Sequence, residues 1–139
     1  MKAMIIVGLV FLASLAGCHH PSRSQTSLLG IFDLKAYDKS GRKAFTGIID
    51  LTAVNPIGFK GRCTIVREKD ASEGVFDQNA PCDATLQGKK VNIDLAPDMD
   101  DGGMLMEGEF DGARITGVWM FDSFAGTQIM GRFEAVRNH

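Results

Sequence analysis

A chain of 139 residues, 45% hydrophobic and 23% charged, has room for one domain of ordinary composition. Its formal net charge of −2 excludes the basic footprint that nucleic-acid binding requires, so we expect no nucleic-acid partner. Glycine is abundant, with 16 residues, and many of these glycines recur inside runs that alternate between apolar and polar side chains.

The N-terminal residues have the pattern of an export signal. Lys2 supplies a positive start, residues 3–13 are apolar and uncharged, and Ser14-Leu15-Ala16-Gly17 leads into Cys18. This order is typical of a secretory signal peptide, and the apolar run is shorter than the ~20 residues that a membrane-spanning helix needs. We therefore assign residues 1–17 to a removable signal, which leaves a chain with a net charge of −3 because Lys2 is the one charge removed.

The end of this signal resembles the lipobox of bacterial lipoproteins. Leu15-Ala16-Gly17-Cys18 matches that motif. The resemblance implies cleavage before Cys18 and a diacylglycerol on its thiol, which together with a third acyl chain would hold the domain firmly to a bilayer. His19 stands where the family's inner-membrane retention signal is typically Asp, so the outer membrane, on its periplasmic side, is favoured. The alternative is an ordinary signal peptide with an incidental cysteine.

Residues 18–27 form a polar segment that contains proline and serine, and we interpret it as a flexible tether. Two cysteines remain beyond it, Cys63 and Cys82. Because an exported domain meets an oxidising compartment, the pair predicts a disulfide that adds ~3 kcal/mol of stability. Two free buried thiols are the alternative. A metal pair is disfavoured because no histidine lies between residues 21 and 138.

From Leu28 onward, short alternating runs are separated by turn signals about every eight to twelve residues, which is typical of a β-sandwich or β-barrel. Short links between successive runs favour an antiparallel meander, with one long loop over residues 68–81. We predict an all-β domain over residues 28–137 with eight strands. The strands cover residues 28–37, 43–54, 58–67, 83–87, 90–96, 103–110, 113–121 and 127–136.

A recurring motif indicates how these strands close. Five of them place a glycine between two large apolar residues on the same face, and the glycines are Gly30, Gly47, Gly108, Gly117 and Gly131. Glycine inside a strand marks a sharp bend or a close backbone approach. The sequence therefore predicts a closed or nearly closed barrel, in which an even strand count allows the first and last strands to pair.

One hairpin carries a register prediction. The dipeptide Asp111-Gly112 is a signal for a two-residue type I′ turn. Such a turn pairs Phe110 with Ala113 and places Gly108 opposite Ile115. Large side chains would then lie opposite small ones, as a narrow interior requires.

Seven aromatic residues fall on the predicted inward face. One interpretation is a pocket for a small apolar ligand, lined by Phe32, Phe110, Trp119 and Phe133; the other is a filled core. Gly30-Ile31-Phe32 is weakly similar to the Gly-x-Trp opening of lipocalins, but phenylalanine replaces tryptophan and the flanking pattern is absent, so the domain is not assigned to that family. The seven are Phe32, Phe45, Phe59, Phe110, Trp119, Phe121 and Phe133.

A second candidate site lies on the outward face. Leu105, Val118, Met120 and Met130 are apolar residues that the strand alternation points away from the core. Such a cluster can mark a contact with a protein or a membrane. The alternatives are scattered surface residues or a patch covered by the long loop near Val75-Phe76.

Catalytic and metal-binding patterns are weak. Glu107 and Glu109 lie on one outward strand face and do not flank a cleft, and the acidic run at 98–103 lacks the spacing of a calcium loop. His19-His20 lies in the tether. We therefore expect no enzyme activity, no metal and no cofactor.

Taken together, these features predict a membrane-anchored, non-catalytic binding or interaction module. One alternative is a carrier of a small apolar ligand in the barrel interior. Others are an inhibitor of a cell-wall-degrading enzyme and a structural protein of the envelope. The partner is expected to be an envelope protein or a small apolar ligand, besides the bilayer reached through Cys18.

Overall fold

The computed structural model describes residues 27–71, 74–99 and 102–139, and the predicted signal, Cys18 and almost all of the tether lie outside them. Successive strands pair antiparallel, and β8 pairs with β1, so the predicted eight-stranded antiparallel meander is confirmed as a closed barrel. Within the described residues, no helix has the length and apolarity needed to cross a membrane. The strands are β1 (Gly30–Asp38), β2 (Lys43–Asn55), β3 (Gly58–Arg67), β4 (Gln78–Gln87), β5 (Lys90–Asp94), β6 (Gly103–Phe110), β7 (Arg114–Ser123) and β8 (Gly126–Arg137).

The fourth strand is longer than the sequence predicted. β4 starts at Gln78, five residues before the predicted start at 83, and pairs with β3 from that point. Pro81 hid this segment, because proline lacks the N–H that a central strand donates. Residues 78–82 pair with β3 alone, since β5 lies opposite residues 83–87, and a strand edge tolerates proline. β5 is shorter than predicted, because it ends at Asp94 and not at residue 96.

The predicted register of β6 and β7 is wrong by two residues. Phe110 lies opposite Ile115, and Gly108 lies opposite Gly117. The sequence predicts Ala113 as the partner of Phe110 and Ile115 as the partner of Gly108. Because each partner moves by two positions, every side chain keeps its predicted face, but large residues no longer lie opposite small ones in this hairpin.

The turn itself explains the difference. The amide of Asp111 donates to the carbonyl of Arg114 at 3.0 Å, so these two residues close the hairpin. The Asp111 carboxylate accepts the amide N–H of Ala113 at 2.9 Å and that of Arg114 at 2.7 Å. Gly112 and Ala113 therefore occupy the tip. Asp111 acts through its side chain, as aspartate does in Asx turns, rather than as a tip residue.

The core of the barrel consists of inward side chains from all eight strands. The Phe45 and Trp119 rings meet edge to face with centroids 5.1 Å apart, in the geometry that aromatic pairs prefer. The largest side chains with almost no exposed surface are Trp119, Phe32, Phe45, Leu28, Leu34, Ile49, Leu51, Ile65, Ile93, Leu95, Met106 and Ile115.

Trp119 reaches across β8 to β1. Its indole Nε1 donates a hydrogen bond of 2.9 Å to the carbonyl of Tyr37. Gly131 lies opposite Trp119 on β8, and a Cβ there would overlap the Tyr37 carbonyl oxygen and come within 2.8 Å of Nε1. Because Gly131 has no side chain, the indole N–H has room to reach the Tyr37 carbonyl inside the barrel.

The predicted disulfide is confirmed between Cys63 and Cys82. Both residues are fully buried, with Cα atoms 5.7 Å apart, and the bond joins β3 to β4 inside the barrel. A link across 19 residues restricts the unfolded chain by an amount worth ~3 kcal/mol.

The barrel has two unlike ends. The end at which β1 begins, here the tether end, has three short turns: Asn55–Gly58, Gln87–Lys90 and Asp111–Arg114. The opposite end, here the apical end, has two short turns, Asp38–Lys43 and Ser123–Gly126, and two longer connections over residues 68–77 and 95–102.

Candidate binding surface

The four aromatics singled out for an interior pocket belong to the core. Phe32, Phe110, Trp119 and Phe133 each expose 5% or less of their surface. The rings of Phe32 and Phe110 pack edge to face with centroids 6.1 Å apart. Three grooves of about 270, 390 and 780 Å³ lie on the described surface, and none is lined by these four side chains. Their geometry favours a filled core.

The predicted outward patch is only partly assembled. Leu105 lies directly opposite Met120, and both are half-buried; Val118 lies opposite Glu107. The prediction placed Met130 on the outward face, and the structure differs. The register of β7 and β8 shifts between Trp119 and Met120, which leaves Met130 as the extra residue of a β-bulge, and it packs against the core.

Leu105 and Met120 form the apolar floor of a groove of about 390 Å³ on the outer face, here the outer groove. Its walls are acidic. Asp83 lies directly opposite Asp94 on the neighbouring strand, and Glu107 is bound to Lys90 at 2.9 Å. The complete lining is Asp83, Ala84, Thr85, Asn92, Ile93, Asp94, Leu105, Met106, Glu107, Met120 and Thr127.

A stronger apolar feature lies at the apical end. Phe124 occupies the tip of the β7–β8 turn and is 90% exposed, and Phe76 in the 68–77 connection is 61% exposed. Ile129 on β8 is 51% exposed. These three residues are here called the apical surface. Two exposed phenylalanines at one end of a small domain are the type of feature that marks an interaction site.

The apical surface borders the largest of the three grooves, about 780 Å³, here the apical cleft. Half-buried Phe121 and Met130 supply its apolar wall, and Ser123 and Gln128 supply polar groups. An apolar cleft with a few polar groups and adjacent aromatic side chains suits a partner that inserts apolar side chains. The complete lining is Arg67, Gly74, Val75, Phe76, Phe121, Ser123, Gln128 and Met130.

Hydrogen bonds fix described residues of the 68–77 connection beside the cleft. Val75 is buried in the core, and the chain therefore places Phe76 outward at the next position. The amide of Arg67 donates to the Asp77 carboxylate at 2.6 Å, and the Arg67 guanidinium donates to the Ala71 carbonyl at 2.8 Å. One strand-terminal arginine thus ties both halves of the connection.

The neighbouring turn is rigid and charged. Asp38 accepts hydrogen bonds from the Ser40 hydroxyl at 2.6 Å and from the Ser40 and Arg42 amides at 2.8 and 3.0 Å. The Ser40 hydroxyl, followed by the Arg42 and Ser40 amides and the Arg42 guanidinium, lowers the pKa of Asp38 from 3.8 to about 2. Together with Ile129 and Met130, this turn lines a groove of about 270 Å³ beside the apical cleft.

The described residues contain no group of three or more histidine, cysteine, aspartate or glutamate side chains placed to hold a metal ion. His19-His20 and two members of the acidic run, Asp100 and Asp101, lie outside these residues. Glu109 is exposed on the side of the barrel and Glu107 on the wall of the outer groove, so the two do not face each other across a cleft.

A scan against protein-family models found no match for the chain, and a search of curated proteins found none. The chemistry of the site therefore has to be inferred from its own geometry. That geometry contains apolar surface, a few hydrogen-bonding groups and solvated charges, which together suit binding.

Sequence reasoning missed the apical surface. Phe76 lies in the predicted long loop, Phe124 lies between two predicted strands, and neither has an alternating pattern around it. The usable signal was the residue type itself, since a large aromatic in a turn segment has no core face to occupy. Ile129 was placed inward by the regular alternation of β8, which the bulge at Met130 interrupts.

Proposed function

We propose that this chain is an exported lipoprotein, acylated on Cys18, whose barrel is a non-catalytic module that binds an envelope protein through its apical surface. The observation that carries the binding role is the pair Phe76 and Phe124, exposed by 61% and 90% beside an apolar cleft of about 780 Å³. Anchoring on the periplasmic side of the outer membrane rests on the lipobox-like residues 15–18 and on His19.

The position of this surface supports the proposal. The described chain begins at Ser27, at the tether end, whereas Phe124 and Phe76 lie at the opposite end. A domain anchored through residues that precede Ser27 would thus carry its aromatic surface away from the anchor. Aromatic side chains supply large contact area at a low entropic cost, which suits them as anchors of a protein interface.

The filled interior favours this function over that of a carrier. Phe32, Phe110 and Trp119 pack against other core side chains, and a ligand inside the barrel would have to displace them. The outer groove remains a second candidate surface, because Leu105 and Met120 form an apolar floor there. Photo-crosslinking at positions 120 and 124 distinguishes the two surfaces.

Acylation is tested by the intact mass of protein purified from membranes. We expect cleavage between Gly17 and Cys18 and a mass increase that corresponds to the acyl chains. The Cys18→Ser variant should lack this increase. An unmodified Cys18 in the mature protein would contradict the anchoring part of the proposal.

Binding is tested with a photo-crosslinking phenylalanine analogue placed at single positions in the full-length chain, expressed in bacterial cells that process it. We expect a crosslinked product of defined mass from position 124, and none from position 116, an exposed threonine on the tether half of the same strand. A product from position 120 and not from 124 would move the interface to the outer groove. Equal products from all three positions would remove the interface altogether.

A folding control accompanies the crosslinking. Phe124→Ser should leave the unfolding free energy within about 0.5 kcal/mol of the parent, since an exposed turn residue contributes little to the core. The same substitution should abolish the product formed from a crosslinker at position 76. Retention of that product would show that the two phenylalanines do not serve one partner.

A further inference from the structure

The tether end carries an apolar projection that the proposed binding role does not use. Ile57 at the tip of the β2–β3 hairpin is 80% exposed, and Val54 on the same hairpin is 64% exposed. The Asn55 side chain accepts the amides of Ile57 at 2.9 Å and Gly58 at 2.8 Å, which fixes the turn. The hairpin therefore presents its isoleucine on a rigid support.

This hairpin extends beyond the start of β1. Gly30, the first residue of β1, lies opposite Leu51, and β2 continues for four more residues to Asn55. These four residues place the turn beyond the level at which β1 begins. The apolar tip thus lies at the outer edge of the tether end.

The chain that precedes the barrel is fixed at this same end. Arg137 donates hydrogen bonds from its guanidinium to the carbonyls of Leu29 and Ser27, the latter at 2.7 Å. The guanidinium carbon also lies 4.7 Å from the centroid of the Phe32 ring. The nine residues from Cys18 to Thr26, which lie outside the described structure, therefore join the barrel at a defined point of the tether end.

The length of that chain restricts the orientation. Nine residues span at most ~30 Å when fully extended. The 13 residues of β2, tilted as in a barrel, give a height that is also ~30 Å. With the apical end against the bilayer, the anchored chain would need its whole extended length to pass the barrel. With the tether end against the bilayer, the anchored chain needs only a small part of its extended length.

The tether end carries both basic and acidic side chains, and its lysines lie close to the β2–β3 hairpin. Lys60 lies on the β2–β3 hairpin and Lys89 in the adjacent β4–β5 turn, and both are exposed. Acidic side chains lie among them as well: Asp83 is directly opposite Lys60, Glu109 is opposite Lys90, and Asp111 is in the third turn. Lysines beside an exposed isoleucine are the combination found where proteins lie on a membrane interface.

We infer that the barrel stands on the bilayer with its tether end down and with the tip of the β2–β3 hairpin, Val54 and Ile57, inserted among the headgroups. This inference rests on the proposed acylation of Cys18. The ligand is the phospholipid surface itself. The apical surface is then held away from the membrane, where it faces its partner.

The test uses the acylated protein in phosphatidylcholine–phosphatidylglycerol vesicles whose acyl chains carry bromine, a quencher of tryptophan emission. Ile57→Trp places a reporter in the hairpin tip, and Phe124→Trp is the matched control at the apical end. The native Trp119 is fully buried and supplies a constant background. We expect loss of the emission added at position 57 and no loss of the emission added at position 124.

Loss at both positions, or at 124 alone, would overturn the inference. The intact mass of the same preparation separates this failure from failure of the proposed function. An acylated protein without quenching at position 57 would overturn the orientation alone, whereas an unacylated protein would overturn the anchoring and the orientation that rests on it.

Discussion

The tether end and the apical end are built from the same kind of strand but close in different ways. At the tether end, three short turns and the inward-pointing Arg137 cover the interior. At the apical end, Phe76 in the 68–77 connection and Phe124 in the short β7–β8 turn lie in solvent. Exposed apolar side chains therefore occur in short turns, as at Ile57 and Phe124, as well as in a longer connection. What distinguishes the apical end is that its exposed apolar side chains include two phenylalanines, and this is where the candidate interface lies.

The turns at both ends are nevertheless stabilised in the same way, by a side-chain oxygen that accepts backbone N–H groups. Asp38 at the apical end and Asp111 at the tether end each accept two backbone N–H groups within their own turn. Asn55 does the same with a neutral amide oxygen. The difference between the ends therefore lies in the length of the connections and in the exposed aromatic side chains of the apical end, and not in how the turns are stabilised.

The largest effect should come from the interior on which both ends depend. Gly131→Ala places a Cβ against the Tyr37 carbonyl and the Trp119 Nε1, so the strands must separate. We expect a loss of ~3 kcal/mol in the unfolding free energy, measured by urea denaturation. The matched control is Gly103→Ala, where the nearest atom to an added Cβ is 3.5 Å away and the change should be small. Equal losses would show that the close approach at Gly131 is not decisive.

An intermediate effect is expected at the tether end. Arg137→Met removes two hydrogen bonds to carbonyls and the stacking on Phe32, so we expect the unfolding free energy to fall by about 1–2 kcal/mol. Arg132→Met, at an exposed position on the same strand, should change it by less than about 0.5 kcal/mol. If the two variants are equally stable, Arg137 does not close the tether end, and the two ends do not differ in this respect.

The smallest effect is a dependence of the unfolding free energy on pH that the turns at both ends should show in the same direction. The pKa of Asp38 is about 2 in the folded chain against an ordinary 3.8, so its contribution to stability is complete above about pH 4 and is lost as the pH falls through about 2. The amides of Ala113 and Arg114 also lower the pKa of Asp111. Carboxyl chemical shifts followed by NMR should give a midpoint near 2 for Asp38.

The variant Asp38→Asn checks the same point through stability. The difference in unfolding free energy between parent and variant should shrink as the pH falls from about 4 to about 2, because protonated aspartate and asparagine are then equivalent in charge. Asp111→Asn is the comparison at the tether end and should show the same direction. A difference that grows toward low pH would reverse the assignment.

Prediction from the sequence succeeded where the signal was local and periodic. The number of strands, the faces of Phe32 and Trp119, and the pairing of Cys63 with Cys82 all follow from alternation and compartment. Prediction failed where a single residue changed a turn, a strand alternation or a strand boundary. The tip at Gly112-Ala113 moved a register, the bulge at Met130 ended an alternation, and Pro81 masked the first half of β4.

The sequence by itself determined an eight-stranded antiparallel barrel with an apolar interior and one internal disulfide, because a two-residue period and turn chemistry are properties of neighbouring residues. Only the tertiary structure decided which apolar side chains stay in solvent. Phe76 and Phe124 are separated by almost fifty residues and reach the same end of the barrel because β3 and β7 both end there. Burial depends on what the rest of the chain covers, and the order of residues along one strand does not contain that information.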